Sequence, residues 1–194
     1  PRIRIKYFED HSEIMAAANI NNMLAFYIHG DVLFSQDWLD VKLDSLLLNY
    51  DKSFQWTSTE PIALLAGSQE YHIIKMNLQR ENAESISLSG SMLKDNFNNV
   101  KIEMKNFPLA DINKILKQKD NQILDSLKGS IDDLSITLNG NFKKPILNAS
   151  IKSEDPVINN IKIGSIAGNF SYNEENATGI VDVYSTSDNS QKVF

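Results

Sequence analysis

The chain has 194 residues, 42% of them hydrophobic, a formal charge of −6 and a sequence pI near 5.1, proportions that suit one large domain with no linker announcing a second. The acidic balance, with Lys spread along the chain rather than gathered into a patch, argues against a nucleic-acid partner. The absence of Cys excludes a disulfide framework and a thiolate metal site, and the longest unbroken apolar run, Met23 to Ile28, falls far short of the roughly 20 residues that span a bilayer.

In chain order, the first signal is a strand over 2–8, with Ile3, Ile5 and Tyr7 alternating with polar neighbours. A two-residue repeat sends alternate side chains to opposite faces of a strand and marks a half-buried antiparallel element. The same rhythm predicts strands over 13–20, 23–29 and 31–35, although three consecutive Ala at 16–18 suit a helical turn equally well. It continues over 38–50, where Leu39, Val41 and Leu43 alternate, and over 53–57 and 61–66. Next come 70–79 with Ile74, Met76 and Leu78, 84–92 with Ile86 and Leu88, and 98–105 with Val100, Ile102 and Met104.

One segment breaks the rhythm. From Leu109 the apolar positions are Ile112, Ile115, Leu116, Ile123, Leu124 and Leu127, a spacing near 3.6 that predicts an amphipathic helix over about 108–128. Pro108 suits its first turn and Gly129 its stop. Such a stripe is expected to cover or plug part of a sheet's apolar face.

Alternation then returns and stays. Ile131, Leu134, Ile136 and Leu138 run into Asn139-Gly140-Asn141, and Ile146, Ala149 and Ile151 run into Glu154-Asp155-Pro156. Ile161, Ile163 and Ile166 lead to Gly168, Phe170 and Tyr172 follow, and Ile180, Val181 and Val183 come after the break at 173–176. Gly30-Asp31, Gly67-Ser68, Gly90-Ser91, Asn139-Gly140 and Gly168-Asn169 are read as the reversals, since Gly and Asn tolerate the positive φ of tight hairpins. The expected fold is mainly β, one long antiparallel meander over 1–194 whose sequence neighbours pair and whose apolar sides fall on one face. Doubled apolar residues at Ile73-Ile74, Leu46-Leu47-Leu48, Ile146-Leu147 and Ile180-Val181 leave the inward parity open, because a one-residue slip inverts the faces.

Catalytic patterns are missing. His11, His29 and His72 stand in no metal-ligand spacing, and the pairs Asp132-Asp133, Glu154-Asp155 and Glu174-Glu175 point to opposite sides of any strand that holds them. No nucleophile elbow, P-loop or dinucleotide fingerprint occurs, so no catalytic residue, metal or cofactor is expected. Trp38, Phe54, Trp56, Phe170 and Tyr172 are read first as sheet anchors and second as a sugar-stacking platform.

Residues 50 to 184 carry a cadence. Trp56 through Glu60-Pro61-Ile62, then Ile74-x-Met76-x-Leu78 and Ile86-x-Leu88-x-Gly90, precede Asn106-Phe107-Pro108-Leu109-Ala110-Asp111-Ile112. Leu127-Lys128-Gly129, Leu134-Ser135-Ile136-Thr137-Leu138-Asn139-Gly140 and Lys144-Pro145-Ile146-Leu147-Asn148-Ala149 complete it. Taken in this order, these phrases resemble the TamB branch of the AsmA-like proteins. The resemblance implies a β-taco, a curled sheet with an apolar interior, in a periplasmic segment of a long inner-membrane-anchored protein of a double-membraned bacterium. The abrupt ends at Pro1 and Phe194 are read as cuts through that longer repetitive chain.

The implied partners are phospholipid acyl chains moving toward the outer membrane and, through the parent chain, an outer-membrane β-barrel assembly protein. The implied groove lining is Ile74, Met76 and Leu78; Ile86 and Leu88; Val100, Ile102 and Met104; Leu134, Ile136 and Leu138; Ala149 and Ile151; Ile161 and Ile163; Phe170, Tyr172 and Val181. Two rival readings stand beside it: a carbohydrate-binding sandwich, and a repeat or adhesin spacer whose core is filled.

Overall fold

The computed structural model describes residues 2–20, 24–50, 54–80, 83–111 and 127–184. The described residues are mainly β, 79% of them in strands with almost no helix, and thirteen of the sixteen strands join one large antiparallel sheet. Its first nine strands are β1 (Arg2–Tyr7), β2 (His11–Ile20), β3 (Leu24–Phe34), β4 (Trp38–Tyr50), β5 (Phe54–Ser58), β6 (Ile62–Gly67), β7 (Glu70–Gln79), β8 (Ser85–Leu93) and β9 (Asn96–Pro108). The rest are β10 (Leu127–Lys128), β11 (Ser130–Asn141), β12 (Lys144–Ser153), β13 (Val157–Ile158), β14 (Ile161–Lys162), β15 (Ser165–Tyr172) and β16 (Ala177–Tyr184).

The large sheet runs β1-β2-β3-β4-β5-β7-β8-β9-β11-β12-β15-β16, with β6 also between β4 and β7. β5 and β6 are two pieces of one strand position: β5 pairs with Leu47–Tyr50 of β4 and β6 with Trp38–Leu43. Pro61 lies in the interruption and has no N–H to offer a ladder. β10, β13 and β14 form a separate small sheet, where Asn159 and Asn160, both at positive φ, make the two-residue reversal between β13 and β14.

The glycines correct the expected turns. Only Gly67-Ser68 separates two strands; Gly30, Gly90, Gly140 and Gly168 lie inside β3, β8, β11 and β15, so 23–29 and 31–35 are parts of one strand. Three of them adjoin register shifts, at His29/Gly30, Ser89/Ser91 and Leu138/Gly140. A bulge crowds one backbone against the next and favours a residue without Cβ. Gly90 shows this most sharply, with φ 125° and a Cβ position that would lie 2.5 Å from Val100 Cα. Gly90→Ala is expected to destabilise the chain by about 3 kcal/mol, measured by urea denaturation.

The helix expected over about 108–128 begins at residue 109 and is corrected at its C-terminal end. Pro108 ends β9, a short helical turn covers 109–111, and Leu127–Lys128 is strand; residues 112–126 lie outside the described residues. At the C-terminal end, pairing of Leu127–Lys128 with Val157–Ile158 overrides the helical periodicity.

Register sorts the side chains by face. One cross-strand row reads Met76, Leu88, Ile102, Ile136, Ala149, Phe170 and Gly179; the next reads Leu78, Ile86, Met104, Leu134, Ile151, Gly168 and Val181. The opposite face carries Asn77, Ser87, Glu103, Ser135, Ser150 and Asn169, beside Gln79, Ser85, Lys105, Asp133 and Lys152. The same division continues toward the N-terminus, where Ile5, Ile14, Gly30, Leu43 and Ile62 share a row on the apolar side.

Burial is concentrated rather than general. Trp56, Ile62 and Leu78 form the buried cluster, with Leu43, Leu46, Leu48, Leu64, Met76, Ile86 and Phe107 packed against it. A second layer would bury the rest of the apolar face, and the described residues supply none beyond the small β10-β13-β14 sheet.

Candidate functional site

The candidate site is the apolar face of the sheet. Strand pairing brings fifteen of the expected lining residues to it: Met76, Leu78, Ile86, Leu88, Val100, Ile102, Met104, Leu134, Ile136, Leu138, Ala149, Ile151, Phe170, Tyr172 and Val181. Leu147 joins them, in the row Val100, Leu138, Leu147, Tyr172. It was missed although counting back by twos from Ile151 and Ala149 reaches it.

Three expected positions are elsewhere. A register shift between Ile73 and Met76 turns Ile74 away, 55% exposed, beside Lys75 and Asn77 on the polar side, and Ile73 takes the inward row with Leu64 and Gly90. Ile161 belongs to β14 of the small sheet and is 65% exposed. Ile163 lies in the link to β15, its N–H donating to the Pro156 carbonyl at 3.0 Å. In both cases the Asn159-Asn160 reversal diverts the chain from the large sheet before β15 begins.

The face changes character along the sheet. Val100, Ile102, Met104, Leu134, Ile136 and Leu138 are half-buried, whereas Ile151, Phe170, Tyr172 and Val181 are exposed, Val181 most of all at 59%. The trough therefore opens progressively toward β16. At the other side, the Trp56 and Phe107 rings stack at 6.2 Å and 12°.

The Arg80 guanidinium lies 5.9 Å over the Trp56 ring. It is held by Asp111 at 2.6 Å through Nη1 and by Glu84 through Nε and Nη2. Burial pushes the Glu84 carboxyl above the ordinary Glu range; Arg80 opposes that and the Asp111 charge adds to it. The cluster ties the β7-β8 connection to the helical turn that follows β9.

The polar face offers different chemistry. A shallow cavity of about 630 Å³ is lined by Lys75, Asn77, Gln79, Ser85, Ser87 and Lys105 among others. Glu103, also in its wall, is held below the ordinary range chiefly by the Lys101 ammonium. Ile74 also reaches this wall, but the amides, hydroxyls and paired charges around it interrupt any continuous apolar floor on this side.

The aromatic platform does not assemble. Trp38 pairs with Gly67 on the polar side and meets the His72 ring at 5.7 Å, whereas Trp56 is in the apolar cluster. Phe170 and Tyr172 lie on β15, several strands away. Among the described residues, no three His, Cys, Asp or Glu side chains gather as a metal site. Comparison with protein-family models, curated proteins and solved structures finds no match to this chain.

Proposed function

We propose that this chain is a lipid-conducting trough, a segment of a TamB-like periplasmic protein that carries phospholipid acyl chains toward the outer membrane and supports assembly there. One observation carries the reading: the cross-strand row Met76, Leu88, Ile102, Ile136, Ala149 and Phe170 runs apolar without a break from β7 to β15 on a face that stays partly exposed. The order of motifs along residues 50 to 184 supports the family.

Physical chemistry supports the role. Each methylene kept from water contributes about 0.8 kcal/mol, so an acyl tail of about 16 carbons has on the order of 10 kcal/mol at stake and does not readily cross a wet gap. An unbroken apolar floor removes that barrier while gripping no one place. Eleven steps between twelve strand positions, at about 4.8 Å each, give a floor roughly 50 Å long. A ligand pocket has no need of that length.

The test uses the whole chain carrying a photo-crosslinking residue at Ile136 or at Ser135, incubated with phosphatidylethanolamine and phosphatidylglycerol vesicles. Capture of lipid at Ile136 and not at its polar-face neighbour Ser135 is the expected result. Equal capture at both sites, or none, overturns the reading.

A further inference from the structure

The trough is not open along its whole length. Trp56 on β5 and Phe107 on β9 are separated by β7 and β8, about 14 Å of sheet at a spacing of about 4.8 Å. Their ring centroids are nevertheless 6.2 Å apart and the planes within 12° of parallel. The two rings lean toward each other over the apolar face, where Leu78 is only 5% exposed and Ile62 only 1%. On one side of this bridge lie the rows of β1 to β4, and on the other the open rows of β11 to β16.

The bridge has its own supports. Asn106 adopts φ 52°, which interrupts the strand's alternation, so that Phe107 does not follow Lys105 to the polar face. The Asn106 amide donates to the Ala83 carbonyl at 3.3 Å, fixing that kink to the β7-β8 connection. Behind Trp56, Arg80 sits against the ring and is gripped by Glu84 and Asp111, two carboxylates that are themselves almost wholly buried. A cation on an aromatic face and a doubly paired guanidinium both oppose rotation of the indole.

We propose that the Trp56–Phe107 stack is a gate across the trough, held shut by the Arg80 cluster, and that acyl chains pass between the two stretches only when Phe107 swings aside. The proposal rests on the conduit reading. Phe107 is the moving part, because it is half-buried and follows a kink, whereas Trp56 is buried and backed by Arg80. The stacked rings occupy the apolar surface that a lengthwise hydrocarbon chain needs, and displacing Phe107 exposes it.

The gate is tested with the full chain in a Trp38→Phe background, which leaves Trp56 as the single indole, excited at a wavelength the tyrosines do not absorb. The probe is a vesicle of phosphatidylcholine brominated on its acyl chains, which quenches an indole it touches. Lipid capture from a crosslinker at Ile136 is measured in parallel to report the trough itself. A shut gate leaves Trp56 weakly quenched, and Phe107→Ala raises the quenching about tenfold, as expected when a minor open state of about 10% or less becomes dominant. Phe107→Tyr, which retains the stack, behaves like the parent. Phe107→Leu keeps apolar burial without the ring and gives the same answer as Phe107→Ala if the latter does not fold. Strong quenching in the parent, or no change in the variants while Ile136 still captures lipid, refutes the gate alone. Failure of Ile136 to capture lipid in every variant removes the conduit and the gate with it.

Discussion

Ile136→Asp is expected to abolish acyl-chain capture along its row while leaving the sheet folded. Ile136 stands in the middle of the row from Met76 to Phe170, and Ile102 beside it on β9 provides a second position for the same change. A carboxylate there must lose its water whenever a hydrocarbon chain covers it, a penalty of several kcal/mol that leaves the chain at least a hundredfold less welcome. Folding suffers far less, because a side chain on an uncovered face can keep its charge hydrated. The expected loss is about 1 to 2 kcal/mol, against about 4 kcal/mol or more for a charge forced into a filled core. One substitution therefore addresses both rival architectures. Lipid capture from a crosslinker at Leu88 or Ala149 reports the first effect and urea denaturation the second. A large folding loss with unaltered capture contradicts the open trough and favours the filled spacer.

The second large effect belongs to Arg80. Arg80→Ala removes the cation between two nearly buried carboxylates and is expected to destabilise the chain by about 3 to 5 kcal/mol. Glu84→Gln is expected to raise stability at neutral pH, because Arg80 keeps Asp111 while a desolvated charge is gone. The pH dependence has a definite sign. A carboxyl whose folded pKa is raised takes up protons on folding, so its contribution to stability is complete below the ordinary Glu value of 4.5 and declines as pH rises through the raised value. Glu84→Gln should erase that decline, making the difference in urea midpoint between parent and variant grow as pH increases from 4.5 toward neutrality. A difference that shrinks over this range, or Arg80→Ala at parental stability, sinks the assignment.

The apolar trough was readable where alternation is clean and adjacent strands pair in register. Val100-Ile102-Met104 and Leu134-Ile136-Leu138 meet residue for residue, so the parity seen in one strand holds in its neighbour. Reading failed wherever the backbone departs from that rhythm. Gly30 and Gly90 look like hairpin reversals in sequence, but each lies where a bulge presses one strand against another, at Lys42-Leu43 and at Asn99-Val100. Ile73-Ile74 offered two parities, and the register shift before Met76 chose Ile73. Phe107 came inward through the left-handed backbone at Asn106.

The alternation of side chains by itself determined an antiparallel meander with one apolar face, because a two-residue period admits few other burials once many such runs follow one another. Tertiary structure alone decided where that face is covered. Arg80 and Asp111 are 31 positions apart, and Trp56 reaches Phe107 across two intervening strands. Contacts of that kind depend on how far a sheet bends and where its bulges fall. These are sums of small backbone deviations over many strands, and no local pattern of residues records them.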